Sequence, residues 1–227
     1  MIVIGIVFTL AIFVFVGWAV SSEMFQQRQW RRRAAEGDPD IIGALISDSL
    51  NRWRRSRPPK TMPPNRWSAI QQAEVVAVAP DIATLSTSLV LEYQTVAGRR
   101  VPTTYPIAEA QEVAAALLDL ILFDVPNLRL GSVRVDVYAG FAAEDGGTTQ
   151  RPILSSTASR AVADAIFSDE LNAVEVLRRF DTLYHPSEGY ELHAIELPPV
   201  EGERPRPAAI AAQDAPWNLD RESDGNG

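Results

Sequence analysis

The chain has 227 residues, 46% hydrophobic and 22% charged, with a formal net charge of −8. That length suits one globular domain with appendages, and the composition is neither collagen-like nor that of a fully disordered chain. Lack of cysteine excludes disulfides, thiolate catalysis, cysteine-ligated zinc and iron–sulfur clusters. Lysine occurs once, at Lys60, which leaves little room for Schiff-base chemistry in a folded body.

The chain opens with an uncharged apolar run of nineteen residues, 2–20. As a helix it would rise about 28 Å at ~1.5 Å per residue, close to the ~30 Å hydrocarbon core of a bilayer. Trp18 stands where an interfacial aromatic belongs. A cleaved signal peptide is the competing reading. Against it stand the missing basic n-region and a run longer than the roughly 7–15 residues of a signal core. Residues 1–21 are therefore expected to form an uncleaved transmembrane anchor. Arg28, Arg31, Arg32 and Arg33 follow it, and only the start residue precedes it. The positive-inside rule then places the N-terminus outside a cell membrane and the rest of the chain in the cytoplasm.

Residues 22–66 read as a basic juxtamembrane neck. Between residues 21 and 66, ten basic side chains face five acidic ones, a net of +5, so the remainder carries −8 − 5 = −13. Within the neck, Asp38-Pro39-Asp40 has the signature of a helix start. Ile42, Leu45, Ile46, Leu50 and Trp53 then recur at helical spacing, and Pro58-Pro59 stops the pattern. The expected amphipathic helix covers residues 39–56, followed by a proline-rich spacer. Two placements compete for its apolar stripe: the lipid headgroup region, or the folded body. Proximity to an anchor favours the first. The expected membrane-surface set is then Trp18, Arg28, Trp30, Arg31, Arg32, Arg33, Arg52, Trp53, Arg54, Arg55 and Arg57. Nucleic acid is not expected, because the acidic remainder repels phosphate and no stacking platform is evident.

Residues 67–197 read as one α+β domain with a mostly antiparallel sheet and packed helices. Asn65 is expected to cap a short helix over 66–73. Residues 75–78 form a strand, and 84–95 an alternating one with Leu85, Thr87, Leu89, Leu91 and Tyr93 on one face. A turn at Ala97-Gly98 leads into a strand over 99–105. Pro106 starts a helix to about residue 123, apolar nearly all round and so expected to be buried. A second alternating strand covers 132–142, with Val133, Val135 and Val137 inward and Arg134 and Asp136 outward. Its hairpin partner covers 151–157. Helices are expected over 159–167 and 169–184, and a last strand over 190–197. Residues 198–227, rich in proline and charge, read as a disordered tail, with one apolar island at 215–219.

The chain lacks the phosphate-binding, dinucleotide, nucleophile-elbow and zincin motifs, and no cofactor is expected. His193 and Glu196 fall in an expected strand, where a separation of three sends them to opposite faces. Ser155, Ser156 and Ser159 cluster at a strand-to-helix junction, where a nucleophile would need His185 or His193 as base. Capping is the simpler role there, with Ser159 or Thr157 suited to it. Asp136 with Glu144 and Asp145 could seed a divalent-metal site, but the usual accompanying lysine is missing. No catalytic residue is singled out. The favoured expectation is a membrane-tethered interaction or assembly module, touching lipid through anchor and neck and another protein or a like copy through its sheet. The alternatives are a tethered hydrolase or metal-dependent enzyme, and an exported domain released from a signal peptide.

Overall fold

A computed structural model describes residues 37–204, apart from 97, 144–145, 168–170 and 188. The apolar run at 2–20 and most of the tail lie outside these residues. Among the described residues no helix is long and apolar enough to cross a membrane.

Helix α1 (Pro39–Arg55) starts where the proline and acids place it. Asp38 caps it, accepting the Asp40 amide at 3.1 Å, and Pro39 fills the first turn. Its stripe of Ile42, Ile46 and Leu50 is fully buried in the main core, and Trp53 packs half-buried against it. This corrects the headgroup placement of the stripe: the helix is part of the body. The body therefore starts at α1 and not at Trp67. The proline stretch is a short link to α2 (Pro64–Gln71), fixed by Met62 N–H to the Pro59 carbonyl and by Trp67 Nε1–H to the Ser56 carbonyl. Pro64, not Asn65, opens α2; Asn65 instead donates to Glu109.

Five strands form the main sheet in the order β1 (Glu74–Val78), β2 (Ile82–Ser88), β5 (Ser132–Ala142), β6 (Thr148–Ser159) and β7 (Asp181–Tyr184). The β2–β5 pair is parallel and the other three are antiparallel. A parallel pair needs a crossover, which here consists of the hairpin β3 (Tyr93–Val96) and β4 (Arg99–Pro102) and the helix α3 (Pro106–Asp119). Gly98, at φ 78°, takes the left-handed turn position of that hairpin. The expected single strand over 84–95 is thus broken: β2 ends at Ser88, and β3 belongs to a separate two-stranded sheet.

Helix α3 is the central helix, as its all-round apolarity implies. It continues through a π-helical turn at Leu120–Asp124. Val113, Leu117, Leu118 and Ile121 are fully buried and meet Val133, Val135 and Val137 from the sheet. Ser159 caps the short α4 (Arg160–Ile166). The helix expected over 169–184 is instead α5 (Ala173–Leu177), opened by an Asn172–Glu175 capping box, followed by strand β7.

Among the described residues the segment expected as a last strand, 190–197, has no ladder; Ile195 N–H donates to the Pro152 carbonyl. Nor does order stop at Pro198. Residues 195–204 run as a strap over the sheet face opposite α3. Glu203 ends it by pairing with Val78 through both backbone bonds, at 2.8 and 3.0 Å. Gly202 is required there: its φ is 99°, and a Cβ would run into the Val78 backbone.

Candidate functional site

At the arginine-rich end of α1, two helix C-termini face one another. Gln71, closing α2, donates its amide to the carbonyls of Trp53, Arg54 and Ser56 at 3.0, 3.2 and 3.1 Å. Arg54 answers with Nε to the Gln71 carbonyl (3.1 Å), Nη2 to the Ala73 carbonyl (2.7 Å) and Nη1 to Asn51 (3.0 Å). A guanidinium against the carbonyl end of a helix satisfies orphan acceptors and the dipole together. Arg54 is thus a clasp between helices. Like Trp53, which packs half-buried against the core, it is tied to the body by these contacts. Arg52 makes a solvent-exposed pair with Asp48 at 3.6 Å, and Arg55 and Arg57 are exposed. Trp18, Arg28, Trp30, Arg31, Arg32 and Arg33 lie outside the described residues.

The second feature is a buried polar layer that the alternation in β5 disguised. Arg134 and Asp136 share the face away from α3, but that face is covered. Their side chains are only 5% and 2% exposed. Arg134 Nε donates to Asp136 Oδ1 at 2.8 Å, and the Ser155 hydroxyl donates to the same oxygen at 2.7 Å from the paired position on β6. Arg134 Nη1 reaches the strap carbonyls of Pro198 and Pro199 at 3.0 and 3.2 Å. Nη2 has no partner among the described residues. The solvent placement of Arg134 and Asp136 is therefore corrected: a mutually neutralising pair can be buried where a lone charge could not. A signal existed in the sequence, namely opposite charges two apart on one strand face beside a serine-rich strand.

Beyond the strap this face opens into a shallow groove of about 450 Å³ lined by Ser86, Ser88, Tyr138 and Gln150. Burial, and then the negative charge of Asp136, raise the Tyr138 hydroxyl above the ordinary tyrosine range, with Arg134 acting the other way.

The serine junction does not assemble with the histidines. Ser155 is held by Asp136, and Ser156 shares a 2.8 Å hydrogen bond with Thr182, whose hydroxyl donates to the Leu177 carbonyl. His185 and His193 face each other edge to face, 6.2 Å between centroids, with Glu191 3.9 Å from His193. His185 follows a strand rather than the expected helix end. Among the described residues no group of three acidic or histidine side chains is placed to hold a metal ion.

The third feature lies at the start of α3. Tyr105 and Tyr190 come from distant segments, yet their rings stand 5.2 Å apart at 43° and remain 55% and 46% exposed. Behind them Arg66 from α2 pairs with Glu109 (3.3 Å) and Glu112 (2.9 Å) from α3. Glu109 sits in the first turn, where a carboxylate suits the positive end of the helix. Arg66, Thr103, Thr104, Glu112 and the two tyrosines line a cavity of about 470 Å³. The adjoining β3–β4 hairpin is fastened at its base by Thr103, whose N–H and hydroxyl both donate to the Glu92 carbonyl (2.8 and 3.2 Å). It leaves the large side chains of Tyr93 and Val96 exposed. Of the alternating face expected over 84–95, Leu89 is packed against the core, whereas Tyr93 is on the surface. Tyr105 and Tyr190 were not singled out, because nothing local in the sequence joins positions so far apart. No protein-family model, curated protein or solved structure matches the chain.

Proposed function

We propose that this is a single-pass membrane protein, N-terminus outside, whose cytoplasmic α+β domain is a membrane-tethered interaction module. The observation that carries the module reading is the exposed aromatic end of the body. Tyr105, just before α3, stands against Tyr190 from a distant segment, and Tyr93 and Val96 are exposed on the β3–β4 hairpin that precedes them. Tyrosines so placed supply large contact area at low conformational cost, and they are enriched where proteins meet. The tether rests on the uncharged run at 2–20 and the arginines after it. Exposed Arg52, Arg55, Arg57 and Lys60 add basic groups, each worth about 1 kcal/mol near an anionic surface.

The test has two arms. Reporters active on one side of the membrane are fused after Gly227, and the mature N-terminus is checked by mass. A cytoplasmic reporter on a chain retaining residues 1–20 is expected. An external reporter, or loss of the apolar run, overturns the tether. In the second arm a photocrosslinking residue replaces Tyr190 or, as a control, the exposed Asp48. A discrete protein adduct from the first position and none from the second is expected; equal labelling, or none, overturns the module.

A further inference from the structure

The chemistry of the tyrosine cavity specifies its ligand. Two neighbouring aromatic rings form the kind of surface on which proline packs, because a proline segment is already extended and loses little entropy on docking. Beside the rings stands Glu112, its side chain 41% exposed. Arg66 is one cation against the two carboxylates of Glu109 and Glu112, so the cluster keeps a net negative charge. The matching ligand is extended, proline-bearing and basic.

The chain carries such a segment, Arg204-Pro205-Arg206-Pro207. Arg204, the described residue of that segment, follows a strap over the sheet face opposite α3, whereas the cavity lies at the start of α3. The chain leaves Tyr190, bonds Pro152 on β6, passes Arg134 on β5 and is pinned by Glu203 to Val78 on β1.

We propose that Arg204–Pro207 of one copy docks in the Tyr105–Tyr190 cavity of a second copy, with proline against the rings and Arg206 on Glu112. Reciprocal docking closes a two-fold dimer. This rests on the interaction-module reading and names its partner as a like chain.

The experiment uses the full chain in mild detergent and a fluorescein-labelled peptide of residues 201–211. Saturable binding by anisotropy is expected, weakened at least tenfold by Tyr190→Ser or Glu112→Gln in the protein, or by Pro205→Ala with Pro207→Ala in the peptide. Sedimentation should show a dimer for the full chain and a monomer for a chain ending at Glu203. These are surface changes, so circular dichroism of each variant should match the parent. A peptide that fails to bind, or binds all variants equally, overturns the proposal, as does a dimer that survives the truncation. Failure of the peptide with a site-dependent adduct to a different protein at Tyr190 overturns the docking and leaves the module reading standing. Failure of both sinks both.

Discussion

Ile46→Ala tests whether α1 belongs to the folded body. Ile46 is fully buried within the core cluster, four residues from Ile42 and Leu50 on the same stripe. The substitution removes three buried carbon groups, worth about 0.8 kcal/mol each, or about 2.4 kcal/mol of transfer free energy. The cavity left in a close-packed site raises this to about 3–4 kcal/mol. With a urea m-value of about 2 kcal/mol/M, the midpoint should fall by about 1.5–2 M. Pulse proteolysis of the full chain in isolated membranes reads that midpoint without removing the protein from its lipid. Arg57→Ala, at an exposed position, is the control and should move the midpoint by less than about 0.3 M. A helix lying on the membrane would give the opposite pattern: Ile46→Ala would leave the unfolding midpoint alone and change only membrane attachment. That result would refute the packing described here and restore the headgroup placement.

Asp136→Asn leaves Arg134 buried without its counter-charge and should destabilise the body by about 3–5 kcal/mol, whereas Arg134→Met with Asp136→Leu should cost much less; urea midpoints of the three chains decide. Arg54→Ala removes charged hydrogen bonds to two carbonyls and should cost about 1–2 kcal/mol, against less than about 0.5 kcal/mol for neighbouring Arg55→Ala, by the same assay. Asp119 is raised above the ordinary aspartate range by burial and then by Asp124. Its native state holds the proton more tightly, so its contribution is fully present below the unfolded pKa and is lost as pH rises through the folded one. Asp119→Asn should therefore raise the melting temperature near neutral pH, with the gain vanishing in acid; an equal gain at both extremes would sink this reasoning.

Short-range physics made much of the fold legible. The span of β5 follows from strict alternation between a glycine-preceded start and a turn. The start of α1 follows from Asp38-Pro39-Asp40, and of the two capping candidates Thr157 and Ser159 it is Ser159 that caps α4. Where local pattern failed, a long-range partner had decided the outcome. Val174, Leu177 and Phe180 have helical spacing, but residues 181–184 gain four paired positions on β6, and Thr182 ties its hydroxyl to Leu177. Conversely, residues 190–197 alternate acceptably for a strand and yet find no ladder, and β7 already pairs with β6 at 154–157. The amphipathic stripe of α1 was read correctly and placed wrongly. An apolar face says that something covers it, and sheet and lipid satisfy the same periodicity.

The same logic explains why both polar sites escaped the sequence. Charge on alternate positions of a strand normally marks the solvent face, and Arg134 and Asp136 obey that alternation to the residue. What the pattern lacks is the strap, which arrives some sixty residues later and supplies two proline carbonyls, groups that accept hydrogen bonds and have no N–H to satisfy in return. An extended segment of that kind can lie over a salt-bridged pair without importing new buried donors. The stretch leading into the strap also brings Tyr190 to Tyr105, and the strap's far end pairs Glu203 with Val78 of β1. One irregular stretch thus seals the interior and completes the aromatic surface. Segments without periodicity are where local reading has least to say, and here such a segment supplies one of the two rings of the exposed tyrosine pair.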